Sequence, residues 1–202
     1  MATEISSQRR IAALLASTFL VAMCALAYEL LMSSVSSYFL GNSITHFSLT
    51  IGLFLSFMGL GSFLSKRIED NLLDRFIFIE IILSIVGGFS TLALYAAFTF
   101  TPYFYLVVFA FIGLIGTLIG FEIPLITRIV ERHQKLSHAV AHVFTADYLG
   151  SLIASVTFAL VLLPWLGLMR SAFAIALINI VAAIITLIEF RSQVAHPKRL
   201  VI

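Results

Sequence analysis

Along this chain, apolar residues run for about twenty positions at a time, and short clusters of charged or turn-forming residues separate the runs. Crossing the hydrocarbon of a bilayer takes about 20 residues of helix. The pattern therefore predicts membrane-spanning helices over 11–34, 44–64, 76–98, 103–126, 139–162 and 169–188. The first run follows Gln8-Arg9-Arg10 like the apolar part of a signal peptide. It is too long for one and lacks a small-x-small cleavage pattern, so it reads as the first span. The expectation is an all-α, polytopic transmembrane bundle of about six helices forming a single domain over 1–202.

Composition sharpens this picture. Hydrophobic residues make up 61% of the 202, charged ones only 11%, and the mean hydropathy is +1.10. A soluble domain is about half apolar and a quarter charged, so a water-soluble core is excluded and no room remains for a second domain. The single cysteine, Cys24, gives neither a disulfide framework nor a thiol cluster.

The basic residues fall on alternate connections. Arg9 and Arg10 precede the first span, Lys66, Arg67 and Arg75 follow the second, Arg128, Arg132 and Lys135 follow the fourth, and Arg191, Lys198 and Arg199 follow the sixth. The other connections carry almost none. By the positive-inside rule both termini lie on the cytoplasmic side, in the inner (plasma) membrane. The net charge of +2 comes with no nucleic-acid motif, so the lipid bilayer is the expected partner and nucleic acid is not.

Two segments echo each other. Tyr28-Glu29-Leu30 and Phe121-Glu122-Ile123 both close an apolar run, and the run starting at Phe47-Ser48-Leu49-Thr50 resembles Phe144-Thr145-Ala146-Asp147. Halves of three spans each would run in opposite directions, giving a 3+3 inverted repeat of the kind found in transporters. Chance similarity in apolar sequence is the competing reading.

Acids inside apolar helices are expensive and face a partner or a wet cavity. Glu29 stands about 27 Å along its helix at about 1.5 Å per residue, near the outer boundary, where His46 begins the next helix. A His-carboxylate tie and a plain helix-end contact both fit. Glu122 sits just inside the inner boundary, and Asp147, roughly 12 Å up its own helix, reaches a similar depth. Two such carboxyls close together would share a proton or a cation. Pro124 withholds the amide that would bond the Gly120 carbonyl, so a kink and a free acceptor belong beside Glu122. Glu29, His46, Glu122, Pro124 and Asp147 are thus the candidate ligand- or proton-binding residues. Glu80, five residues after Arg75, reads as snorkelling to the inner surface.

Small residues at four-residue spacing, Gly52 with Ser56, Gly116 with Gly120 and Gly150 with Ala154, let helices approach closely within the chain or across a homodimer seam. Intramolecular packing is the simpler reading. His133, His138 and His142 lack companion ligands at metal spacing, and neither phosphate-binding nor hydrolase motifs occur. No catalytic residue, metal or cofactor is expected from the sequence.

The runs Ala27-Tyr-Glu-Leu-Leu, Tyr38-Phe-Leu-Gly-Asn-Ser, Phe47-Ser-Leu-Thr-Ile-Gly and Met58-Gly-Leu-Gly-Ser, with Gly120-Phe-Glu-Ile-Pro-Leu and Ala146-Asp-Tyr-Leu-Gly-Ser, resemble the membrane domain of bacterial spermidine synthase-like (polyamine aminopropyltransferase) proteins. The likeness covers nearly the whole chain. In that family a polytopic domain precedes a cytoplasmic aminopropyltransferase domain, and this sequence ends where that domain would begin. The resemblance implies a membrane module that is not an enzyme by itself and that anchors a cytoplasmic aminopropyltransferase or supplies it with small amines. A stand-alone cation or proton-coupled transporter, and a non-catalytic assembly protein, are the alternatives.

Overall fold

Leu, Ile, Phe and Ala dominate every long run, and among apolar neighbours the backbone must satisfy its own hydrogen bonds, which a helix does within one segment. The computed structural model describes residues 2–41, 43–132 and 134–191, and all of its regular structure is helical. In order these are α1 (Ala2–Leu40), α2 (Ser43–Ser65), α3 (Leu72–Phe100), α4 (Phe104–Gly120), α5 (Glu122–Glu131), α6 (Leu136–Thr157), a π-helical segment (Phe158–Leu166) and α7 (Gly167–Glu189). His133 and the basic tail at Lys198 and Arg199 lie outside the described residues.

Five helical segments are long and apolar enough to cross a membrane, the last being a 54-residue run from Leu136 to Glu189. The pattern predicted separate spans over 139–162 and 169–188. The structure joins them because the intervening turn is itself taken up by wide π-helical backbone. The run nevertheless doubles back. Gly167 adopts φ +69°, a left-handed conformation that favours glycine, and the Ser171 hydroxyl donates to the Leu162 carbonyl at 2.9 Å, nine residues back.

Other boundaries also move outward. α1 continues to Leu40, beyond the predicted end at residue 34, because Ser33 and Ser36 are buried helix residues and not the start of a loop. It stops at Gly41, φ +68°, whose amide bonds the Ser37 carbonyl at 3.1 Å. The predicted fourth span is interrupted at Phe121, one turn before Pro124. There α4 gives way to α5, a short helix with one apolar and one polar face.

α1 is the hub and touches each of the other α-helices, with its broadest contacts on α6 and α7; α2 seats on α4 and α3 on α7. Close approach depends on missing side chains. A Cβ at Gly120 would collide with the Met58 backbone, one at Gly61 with the Thr117 carbonyl, and one at Gly150 with the Phe19 carbonyl. Gly52 and Gly59, by contrast, have open space before them. The small-residue pattern thus divides: Gly116, Gly120 and Gly150 pack within the chain, whereas Gly52 does not.

Two glycine variants on neighbouring helices test this division. Gly120→Ala should destabilise the folded protein by about 1–3 kcal/mol through overpacking. Gly59→Ala, gaining helix propensity in open space, should be neutral or stabilising by up to about 1 kcal/mol. Thermal unfolding in detergent reads both, and equal effects would contradict the α2–α4 packing.

Candidate functional site

The buried apolar side chains form two clusters. One gathers Leu14, Val21, Phe76, Ile77, Leu125, Ile129 and Val143. The other gathers Cys24, Tyr28, Leu31, Leu83, Ile112, Ile119, Phe158 and Ile175. The polar residues that interrupt the helices fall at the boundary between them. On α3, Glu80 separates Ile77 from Leu83. On the α4–α5 path Glu122 separates Ile119 from Leu125, and on α6 Asp147 follows Val143. On α7, Asn179 separates Ile175 from Ala182. Val21 and Cys24 straddle the same boundary on α1. The result is a polar layer drawn from five helices, with an apolar core on either side.

The depths agree. Glu80 stands eight residues into α3 and Asn179 ten residues before the end of α7, which at about 1.5 Å per residue puts them roughly 12 and 15 Å from the same end of the bundle. Glu80 is 0% and Glu122 4% exposed, so Glu80 does not snorkel. The sequence reading assigned it to the surface on its nearness to Arg75. A step of five residues turns about 140° around a helix, and Arg75 is exposed while Glu80 shares the inward face with Leu73, Phe76, Ile77 and Ser84.

Local hydrogen bonds fix the layer. The Glu80 carbonyl accepts from the Ser84 hydroxyl at 2.8 Å and from Asn179 Nδ2 at 3.2 Å, tying α3 to α7. The Tyr28 ring fits against Gly87, where a Cβ would overlap it. Its hydroxyl lies within electrostatic reach of Glu80 and Glu122. Cys24 Sγ points to the Ile175 carbonyl at 3.5 Å. Glu122 opens α5, close enough to Glu80 and Asp147 for their charges to act on it. The break at Phe121 and Pro124 in the first turn of α5 hold it there.

Glu122 and Asp147 also line a cavity of about 10 Å³ against Thr18, Val21 and Ala22 of α1. That is room for about one water-sized group. A second, apolar cavity of about 40 Å³ follows a turn further along the α1–α6 seam, lined by Met23, Ala27, Ala154 and Thr157.

Of the residues singled out from sequence, Glu122 and Asp147 thus come together, and Pro124 stands two residues beyond Glu122 in the first turn of α5. Glu29 is half-buried on α1. His46 lies against Tyr105 of α4, ring centroids 6.4 Å apart, and among the described residues no hydrogen bond joins it to Glu29. The sequence reading passed over Glu80, Tyr28 and Asn179 as site residues. The buried positions of α3 follow a three-four spacing that includes Glu80, and that periodicity was the available signal. Exposed His138 and His142 sit one turn apart on α6, ring centroids 6.2 Å apart.

No family model matches the chain, and no solved structure matches it. Curated proteins do. The chain is 44% identical over 192 residues to polyamine aminopropyltransferase 2 of Ralstonia nicotianae and 41% identical over 172 residues to the polyamine aminopropyltransferase of Leptospira interrogans, spans that take in 94% and 85% of this chain. These relatives support the spermidine synthase-like family. The enzyme of the same name from Mycobacterium tuberculosis is 34% identical across 99% of the chain. The chain spans little more than a third of these relatives, 34–40% of their length.

Burial of Glu80 is open to direct test. In a Cys24→Ala background, Glu80→Cys should resist a membrane-impermeant maleimide that labels Glu69→Cys, since Glu69 is exposed in the turn before α3. Equal labelling rates would return Glu80 to the surface and dissolve the layer.

Proposed function

We propose that this chain is the membrane-embedded module of a spermidine synthase-like protein, and that it handles small amines for an aminopropyltransferase. The observation that carries this reading is the cavity between Glu122 and Asp147, two carboxyls at one depth in an otherwise apolar bundle. Such acids recognise a positive charge, and a primary ammonium head is about the size of the water that the cavity admits. Kinship with polyamine aminopropyltransferases supplies the chemical class.

In this reading the chain crosses the bilayer six times. A helix of 54 residues would be about 80 Å long, against roughly 30 Å of hydrocarbon, so the fold-back at Gly167 divides the last run into two crossings. Arg10, Lys66, Arg67, Arg75, Arg128, Arg132, Lys135 and Arg191 then lie at one end of the bundle, which is the cytoplasmic end by the positive-inside rule. An aminopropyltransferase on that side would stand next to Glu80, Glu122 and Asp147. The pairing of helices supports an inverted repeat in which α1 corresponds to α4, α2 to α6 and α3 to α7. α1 seats on α6 as α4 seats on α2, and α3 and α7 seat on each other.

Calorimetry on the detergent-purified protein tests the reading. Putrescine and spermidine should bind saturably, and Asp147→Asn or Glu122→Gln should each weaken binding tenfold or more, a loss of at least about 1.4 kcal/mol. A helical, well-folded protein that binds neither amine would refute amine handling and leave an anchoring role.

A further inference from the structure

The buried polar layer is short of hydrogen-bond donors. Both carboxyl oxygens of Glu80, Oε1 of Glu122 and Oδ1 of Asn179 are buried with no hydrogen-bond partner, and the Tyr28 hydroxyl is buried without one too. An ionised carboxylate and an amide oxygen only accept; the donors at hand are the Tyr28 hydroxyl and the second N–H of Asn179 Nδ2, fewer than the acceptors left open. Burying an acceptor unpaired is costly, and burying two carboxylates within each other's field without a cation is costlier still.

No cation answers them from any neighbouring element. α1 presents Cys24 and Tyr28 to the pair, and α6 presents Asp147 to Glu122. α7 contributes the amide of Asn179. α4 is apolar throughout the contact, and α2 carries no charged residue between Ser43 and Ser65. The basic residue of α5, Arg128, is committed elsewhere, donating to the carbonyls of Ile68 at 2.7 Å and Ser65 at 3.4 Å. Among the described residues neither Glu80 nor Glu122 has an ion-pair partner.

We propose that Glu80 and Glu122 form a buried proton-binding site, with Tyr28 and Asn179 as its polar walls, holding a proton that exchanges with water through the cavity beside Asp147. A proton on either carboxyl converts an acceptor into the missing donor and lets the pair share it, with the buried Tyr28 hydroxyl and Asn179 Oδ1 beside them. Glu122 belongs both to the pair and to the lining of the cavity. It is therefore the member through which the proton enters and leaves, and Glu80, sealed behind it, is the store.

This inference does not rest on amine handling, and its test needs no amine. Infrared spectra of the purified chain in lipid bilayers, in water and in deuterated water, report neutral carboxyl groups through their carbonyl band. Wild type should show such a band, shifted by deuterium; the double variant Glu80→Gln/Glu122→Gln should abolish that component, and Asp147→Asn should retain it. A wild-type spectrum without the band, a band the double variant leaves intact, or one that deuterium never shifts would each overturn the proposal. Should circular dichroism show the double variant unfolded, Glu122→Asp decides, because a shortened arm must move the band if the pair holds the proton, and an unmoved band overturns it.

Discussion

A polar group buried among apolar side chains finds no water to replace a bond it fails to make inside the protein, and this constraint shapes the whole bundle. Short hydroxyl residues meet it by bonding back to their own helices. Thr18 donates to the Leu14 carbonyl, Thr117 to Gly113, Thr127 to Ile123, Thr145 to Ala141 and Thr186 to Ala182, each four residues back at 2.6–3.0 Å. These bonds let threonine sit among leucines with its hydroxyl satisfied locally, and Thr186 also meets the Ser17 hydroxyl of α1 at 2.9 Å. Longer polar side chains have no such local solution. Their oxygens need donors from across the bundle, which is why Glu80, Glu122, Tyr28 and Asn179 converge on one layer and why that layer is where chemistry collects.

The layer exists because packing above and below it is tight. α1 runs through the middle, and glycines at Gly61, Gly120 and Gly150 bring backbones together where a methyl group would not fit. Two apolar clusters close in from either side, and on the side of the first, against Val21 and Ile126, a cavity of about 10 Å³ leaves no more than a water's worth of space. A space that small admits a water-sized group and not a bulky ligand.

Much of this was legible in the sequence. Twenty-residue apolar runs give away the helices, and Glu122 with Pro124 and Asp147 stand out because acids and a proline in such runs demand explanation. The helix ends were harder, since Ser33 and Ser36 look like the start of a loop until their burial is known. The turn at Gly167 was expected, but its π-helical approach was not, because Phe158–Leu166 is as apolar as any helix and carries no mark of a wider winding. Glu80 was misread for a different reason. Nearness to Arg75 along the chain was weighed, while the face of the helix, which sets the two residues far apart, was not. Asn179 and Tyr28 are single residues whose importance comes entirely from what other helices bring to them.

α2 is the exception to all this enclosure. Only 17% of its apolar window is buried, against 56% for α3, and Gly52 and Gly59 look out on open space. At its far end, however, Arg128 of α5 clasps the carbonyls of Ser65 and Ile68. α2 is thus fastened at the foot by Arg128 and pressed against α4 along one face, while its other face stands open. The open face can accordingly take larger side chains at Gly52 and Gly59 without disturbing the interior behind it.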